Sequence, residues 1–295
     1  MEKVCAITFD DLPVLSRYPR SECELDIIVS RLQTQIEIAD IPVAGFVNES
    51  MVFVGEHLSS AERRYGWLRE WASVLDVLGN HTYSHMDFHE SRSEDFMDDI
   101  VRGEILTRKI YGDDFLNKKK VFRFPYLNDG STTESKLCVQ KFLEDRNYRI
   151  VPVTIDSSDW RFSSAYDRAD MENNSQVKDA IAADYIAYTR QMIELSEVIS
   201  IQLFDRVVPQ ILLLHASSIN AYYFSQIVDL FKRADYRFVS VFEAIDDSSY
   251  GDTERKINVE GASDWHWYRD KAASMGVSVD CNTPAVPQFV QKLSS

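Results

Sequence analysis

Glycine is scarce in this chain, with ten among 295 residues, and histidine and cysteine are scarcer, with six and four. The ten glycines never form G-x-G-x-x-G, a Walker loop or G-x-S-x-G, so the phosphate cradles and the serine elbow built on those motifs are excluded. Cys5, Cys23, Cys138 and Cys281 have no C-x-x-C spacing. Neither a zinc knuckle nor a dense disulfide framework is indicated, and the four read as buried free thiols. His89-Glu90 lacks the second histidine of H-E-x-x-H. Long apolar runs are also missing; residues 211–214 are far too few to cross a bilayer, and no transmembrane segment is expected. Basic residues number 32 against 47 acidic ones, a formal net charge of −15. Such a chain repels phosphate backbones and anionic lipid heads, so nucleic acid is not expected as a partner and a neutral or cationic substrate is easier to accept. No basic-then-apolar leader precedes the first apolar run. The expectation is a cytoplasmic protein, or a periplasmic or secreted one if a leader has been trimmed.

What remains is ordinary for a globular protein: 45% apolar and 27% charged residues, enough to bury a sizeable core. Short β-rich runs alternate with stretches of helical period. Runs at 4–9, 43–47, up to 80, 121–125, 149–155, 211–214 and 238–241 read as strands. Helical spacing falls between them, at 25–36, 68–78, 100–110, 136–143, 175–204 and 221–231. A β-then-α rhythm repeated about seven times implies parallel strands with helices outside them. The number of units favours an α/β distorted (β/α) barrel of about seven strands, with an open doubly wound sheet as the alternative. Residues 1–247 read as the barrel. Residues 248–295 read as a tail packed on it, with Trp265, Trp267 and Tyr268 serving that packing or, alternatively, a sugar-stacking lip.

The informative feature is where polar residues fall. Five strands end in them: Asp10-Asp11, His81-Thr-Tyr-Ser-His85, Arg123-Phe-Pro-Tyr126, Asp156-Ser-Ser-Asp159-Trp160 and Leu213-Leu-His215. In a parallel barrel all strand C-termini converge on one face, so these segments should share a pocket. Histidines four apart on a helical turn present both rings to one side. Two histidines with one aspartate are the three-ligand set of catalytic zinc. Tandem carboxylates need positive charge beside them, which a metal on one and Arg123 near the other would supply. His89, His57 and His266 read as surface residues.

Together these elements, with Thr8-Phe9 ahead of Asp10-Asp11, resemble the polysaccharide deacetylase family. The resemblance implies removal of acetyl groups from amino-sugar polysaccharides, peptidoglycan first, with chitin or chito-oligosaccharides as the alternative. It implies Asp10 as general base and Asp11, His81 and His85 as ligands of a divalent metal, Zn²⁺ first and Co²⁺, Ni²⁺ or Mn²⁺ as alternatives. It implies Arg123 as the residue positioning the base and the Tyr126 backbone N–H as the group facing the oxyanion. It implies Asp159 as the residue tuning the acid, His215 as the acid, and Trp160 and Leu213 as the walls of the acetyl pocket. An O-acetyl esterase would need the same metal and base. A silent glycan-binding barrel is the non-enzymatic alternative.

Overall fold

The computed structural model describes residues 2–54, 57–251, 266–279 and 282–295, apart from the side chain of His266. Trp265 and Cys281 lie outside the described residues. Eight parallel strands form one sheet: β1 (Lys3–Leu12), β2 (Val43–Val47), β3 (Val77–Asn80), β4 (Lys120–Phe122), β5 (Tyr148–Ile150), β6 (Ile155–Asp156), β7 (Gln210–His215) and β8 (Tyr236–Phe238). Seven run in the order β5-β4-β3-β2-β1-β7-β6, and β8 pairs with the start of β1. The path curls into the α/β distorted barrel that the alternation predicts. The helices are α1 (Glu22–Ala39), α2 (Leu58–Val74), α3 (Ser93–Arg102), α4 (Ile105–Tyr111), α5 (Thr133–Asp145), α6 (Asp159–Met171), α7 (Ser175–Phe204), α8 (Ser218–Arg233), α9 (Val241–Ile245), α10 (His266–Met275) and α11 (Gln288–Ser294).

Local chemistry decides where the elements differ from the sequence reading. The strand expected over 149–155 is two short ones, because Pro152 between them has no N–H to give the ladder. The helix expected over 100–110 breaks at Gly103, whose backbone lies against Thr82; a Cβ there would stand 2.8 Å from the Thr82 carbonyl carbon. The run at 238–241 ends as a strand at Phe238, and Val241 opens α9 behind the Ser240 cap. Cys5 is buried as expected, but Cys23 and Cys138 are exposed on α1 and α5.

Side chains alternate along each strand, so one set faces the helices and the other fills the barrel. Cys5, Ile7 and Phe9 of β1 face outward with Leu212 and Leu214 of β7, against α1, α2, α7 and α8. Phe9 meets Trp71 and Phe224 there. Ala6, Ala44, Phe46, Val77, Val121 and Ile211 fill the inside. Continuing the inward set toward the strand C-termini gives Thr8 and Asp10, then His81, Arg123, Leu213 and His215. The fold thus delivers those residues to one mouth by period two alone. The far segments pack as ballast: Trp267 lies against Phe204 and Tyr250, and the buried Tyr268 hydroxyl reaches Gln210 Oε1 at 3.1 Å. Both rings are committed to packing rather than to a sugar-stacking lip.

One inward position must be bare. A Cβ on Gly79 would stand 2.6 to 2.8 Å from the Phe46 ring and Val121 Cγ2. The Phe46 ring in turn lies 4.4 Å from the Arg123 guanidinium. Gly79→Ala gains less than about 1 kcal/mol of strand entropy and forces a repacking that costs roughly 1–3 kcal/mol. Urea unfolding should show a net loss of stability; a variant as stable as the parent would mean that Phe46 has another place to go.

Candidate active site

The site starts at the end of β1. The pairing of β1 with β2 shifts register between Phe9 and Leu12, and Asp11 takes a left-handed φ of 59°. This irregularity breaks the alternation and lets two consecutive carboxylates face the same mouth. Asp10 is buried, and one of its oxygens accepts from Arg123 Nη1 at 2.9 Å. The other faces His81 Nε2 at 3.7 Å. Arg123 is fully buried and has its donors placed. Nη1 also reaches Thr8 Oγ1 at 2.7 Å, Nε the Val151 carbonyl at 3.3 Å and Nη2 the Pro152 carbonyl at 3.4 Å. Burial raises the Asp10 carboxyl above its ordinary range, and the Arg123 charge opposes that rise.

His81 and His85 are not on a helical turn. They sit in a loop after β3, with Thr82 and His85 at φ of 63° and 57°. The four-residue spacing brings the rings together, but loop hydrogen bonds hold them there. Asn80 Oδ1 accepts from Thr82 N–H, and Asp99 Oδ2 accepts from both the N–H and the hydroxyl of Ser84. His81 Nδ1 lies 2.8 Å from the Arg123 carbonyl and must donate to it, so Nε2 carries the lone pair that faces the site. Burial, with His85 beside it, pushes the His81 imidazolium down to about 3, so the ring is neutral.

Donor atoms of Asp11, His81 and His85 all lie within 4.8 Å of one another. Asp11 Oδ1 is 3.5 Å from His85 Nε2 and 3.8 Å from His81 Nε2, too long for hydrogen bonds. Tetrahedral ligands about 2.0–2.1 Å from a cation stand roughly 3.4 Å apart, close to these separations. Asp11 Oδ1 is buried and has no hydrogen-bond partner among the described residues, a costly state for a carboxylate oxygen unless a cation meets it. The donor set therefore fits a metal. His89, exposed on the following turn, is not part of the cluster, and His57 is exposed ahead of α2.

On the neighbouring strand His215 pairs in register with Asp10. Its Nδ1 lies 2.7 Å from Asp159 Oδ1, and its backbone N–H donates to Asp159 Oδ2 at 2.7 Å. Burial alone would lower the His215 value, but the Asp159 carboxylate outweighs it, and Asp11 and Asp10 add to the pull, raising it to about 10. Sequence reasoning missed Asn220, which completes this pair. Its amide donates to Asp159 Oδ2 at 2.6 Å and to the His215 carbonyl at 2.9 Å, while its oxygen accepts from the Tyr185 hydroxyl at 2.7 Å. It also missed Asp99. No motif marks either residue; a polar side chain within the first helical turn after His215 was the available signal for Asn220. Leu213 is buried, Trp160 is half-buried behind Asp159, and the exposed Tyr126 lays its ring 4.4 Å from His85.

A sequence model of the polysaccharide deacetylase family matches residues 1–142. The peptidoglycan-N-acetylglucosamine deacetylase of Bacillus cereus is 27% identical over 160 residues, 54% of this chain and 47% of its own, so the match spans about half of that relative. The chitin deacetylase from the fungal pathogen Colletotrichum lindemuthianum has the same fold, with a TM-score of 0.56 at 19% identity over 84% of this chain and 89% of that one. So does a CE4 family pseudoenzyme from Bacillus anthracis, at a TM-score of 0.53 and 13% identity over 83% and 66%. The matched segment carries Asp10, Asp11, His81, His85, Arg123 and Tyr126, each at a strand end of the barrel these structures share. Residues 1–142 thus resemble the polysaccharide deacetylase family, whose sequence model they match and whose barrel fold the chain shares.

Proposed function

We propose that this protein is a divalent-metal-dependent hydrolase that removes N-acetyl groups from amino-sugar polysaccharide, with peptidoglycan as its substrate. One observation carries the reading: Asp10 has one oxygen tied to Arg123 and the other facing the Asp11–His81–His85 cluster, with the His215–Asp159 pair on the adjoining strand. Asp11, His81 and His85 would hold the cation, which when bound supplies Lewis acidity toward an acyl oxygen and acidifies water. Two imidazoles and a carboxylate suit Zn²⁺ first. Peptidoglycan is supported by the 27% identical relative from Bacillus cereus, which acts on that polymer.

The chain's own residues divide the proton work. Asp10, held by Arg123, takes a proton from the attacking water. The Tyr126 N–H, on the turn after β4, is the backbone donor offered to the developing oxyanion, a contribution of about 3 kcal/mol where such a donor is aligned. His215, kept cationic by Asp159, gives its proton to the departing nitrogen. Leu213 and Trp160 bound the space for the methyl group. An amide needs this acid more than an ester does, because an alkoxide leaves more readily than an amide nitrogen. The buried His215–Asp159–Asn220 assembly therefore favours amide over O-acetyl cleavage.

Asp10→Asn should retain the bound metal while kcat falls by roughly 10²–10⁴; unchanged turnover in acetate-release assays would remove Asp10 as the base. Zn²⁺ at 100 times its Kd should stabilise the parent chain by about 2.7 kcal/mol in thermal unfolding, and Asp11→Ala should lose that response. Equal stabilisation of both would place the ion elsewhere. His215 works protonated, so activity should fall as pH rises through its raised value near 10. A cation at Asp11 offsets part of the pull, so in the loaded protein the limb lies at ten or below. Asp159→Asn removes the main opposition to burial and should move that limb down past neutral pH; a limb that stays in place excludes His215 as the acid.

A further inference from the structure

Trp160 is flanked by two guanidinium groups. Arg17 lies 5.0 Å from its ring centroid and Arg161 lies 4.8 Å from it. Among the described residues neither arginine has a carboxylate within ion-pair distance, although the chain carries 47 acids against 32 bases. Two like charges gathered on one ring without an acid between them repel, and an anion seated there relieves the repulsion. Each guanidinium carries its N–H donors in a fork that binds a carboxylate bidentately.

The place is the mouth of the site. Trp160 follows Asp159, the partner of His215. The Arg17 charge also reaches Tyr126, whose ring rests on His85. Arg17 therefore stands at the mouth beside Trp160, the neighbour of Asp159. Its loop is held at several points. Leu15 N–H donates to the Ala216 carbonyl at 2.7 Å, the Trp71 indole donates to the Pro13 carbonyl at 2.9 Å, and Arg20 pairs with Asp167 of α6 at 2.9 Å. An exposed arginine on a loop so tied is presented rather than free to wander.

We propose that Arg17 and Arg161, both close to the Trp160 ring, form a carboxylate-binding subsite, so that the substrate is an N-acetylated glycan bearing a carboxylate close to the sugar that is deacetylated. This rests on the deacetylase reading above and narrows it. It also revises what the net charge of −15 implies, because an incoming glycan meets the local field at the mouth and not the sum over the surface.

The probe is peptide-free peptidoglycan strand, whose lactyl ethers carry carboxylates, compared with the same strand after amidation of those groups. The parent should release acetate from the carboxylated strand with a kcat/KM roughly ten- to a hundredfold higher, expressed mainly in KM. Arg17→Gln with Arg161→Gln should erase the difference between the two strands. A parent indifferent to amidation, or a double variant that keeps the preference, overturns the subsite while leaving the deacetylase intact. If neither strand yields acetate, the deacetylase reading fails, and calorimetric Kd values decide the subsite. Tighter binding of the carboxylated strand that disappears in the double variant supports it; equal binding of both strands overturns it.

Discussion

The buried contact between Arg123 and Asp10 is the constraint around which the mouth of the barrel is arranged. A guanidinium with no exposed surface has lost its water, and each of its donors must be met from within. Here Thr8, Asp10 and the carbonyls of Val151 and Pro152 meet them, and the Phe46 ring covers the flat face. Those partners come from β1, from the break between β5 and β6, and from β2. The break at Pro152 thus has a consequence: a carbonyl that would have joined the ladder turns toward Arg123. Ion pairs buried this way are weak contributors to stability, and a hydrophobic replacement is often neutral or better. What this one does is fix one Asp10 oxygen, so that the other has a single direction to face.

The barrel and the strand-end residues were legible because both follow from strict periodicities. Position at strand C-termini is enough to send Asp10, Arg123 and His215 to one mouth, and the fold adds that the alternation along each strand turns them inward. The exceptions are places where the backbone leaves regular structure. Asp11 faces the mouth through a bulge and a left-handed φ, which no pattern of apolar residues encodes. His81 and His85 meet through a loop braced by Asn80 and Asp99, not through the helical turn that their spacing suggests. Cys23 and Cys138 are exposed because a helix has a solvent face, and thiol chemistry alone does not say which face a cysteine takes.

The long helix α7 shows how a segment without a motif can still bear on the site. Its inward stripe packs into the outer core, with Tyr185 meeting Phe162 of α6. The Tyr185 hydroxyl then passes its hydrogen bond to Asn220 and so to Asp159. Asp159 consequently receives donors from His215 and Asn220 at both oxygens, which orients it in a fully buried place. A helix that carries none of the strand-end motifs is thereby joined to the His215–Asp159 pair.

Two imidazoles in one cleft are held in opposite states. His81 gives its Nδ1 proton to a carbonyl and is stripped of solvent, so its value falls to about 3 and its other nitrogen stays a lone-pair donor toward Asp11. His215 is somewhat less enclosed, its Nδ1 meets a carboxylate, and its value climbs to about 10. The same side chain is held neutral in one setting and cationic in the other, through the identity of one partner atom, which suits the ligand and proton-donor roles proposed for them. A barrel retained only for binding has no use for a buried carboxylate whose effect is to keep an imidazolium charged, since that charge bears a desolvation cost and repels a cation at the cluster. Keeping Asp159, His215 and Asn220 together against that cost fits a protein whose second histidine moves a proton.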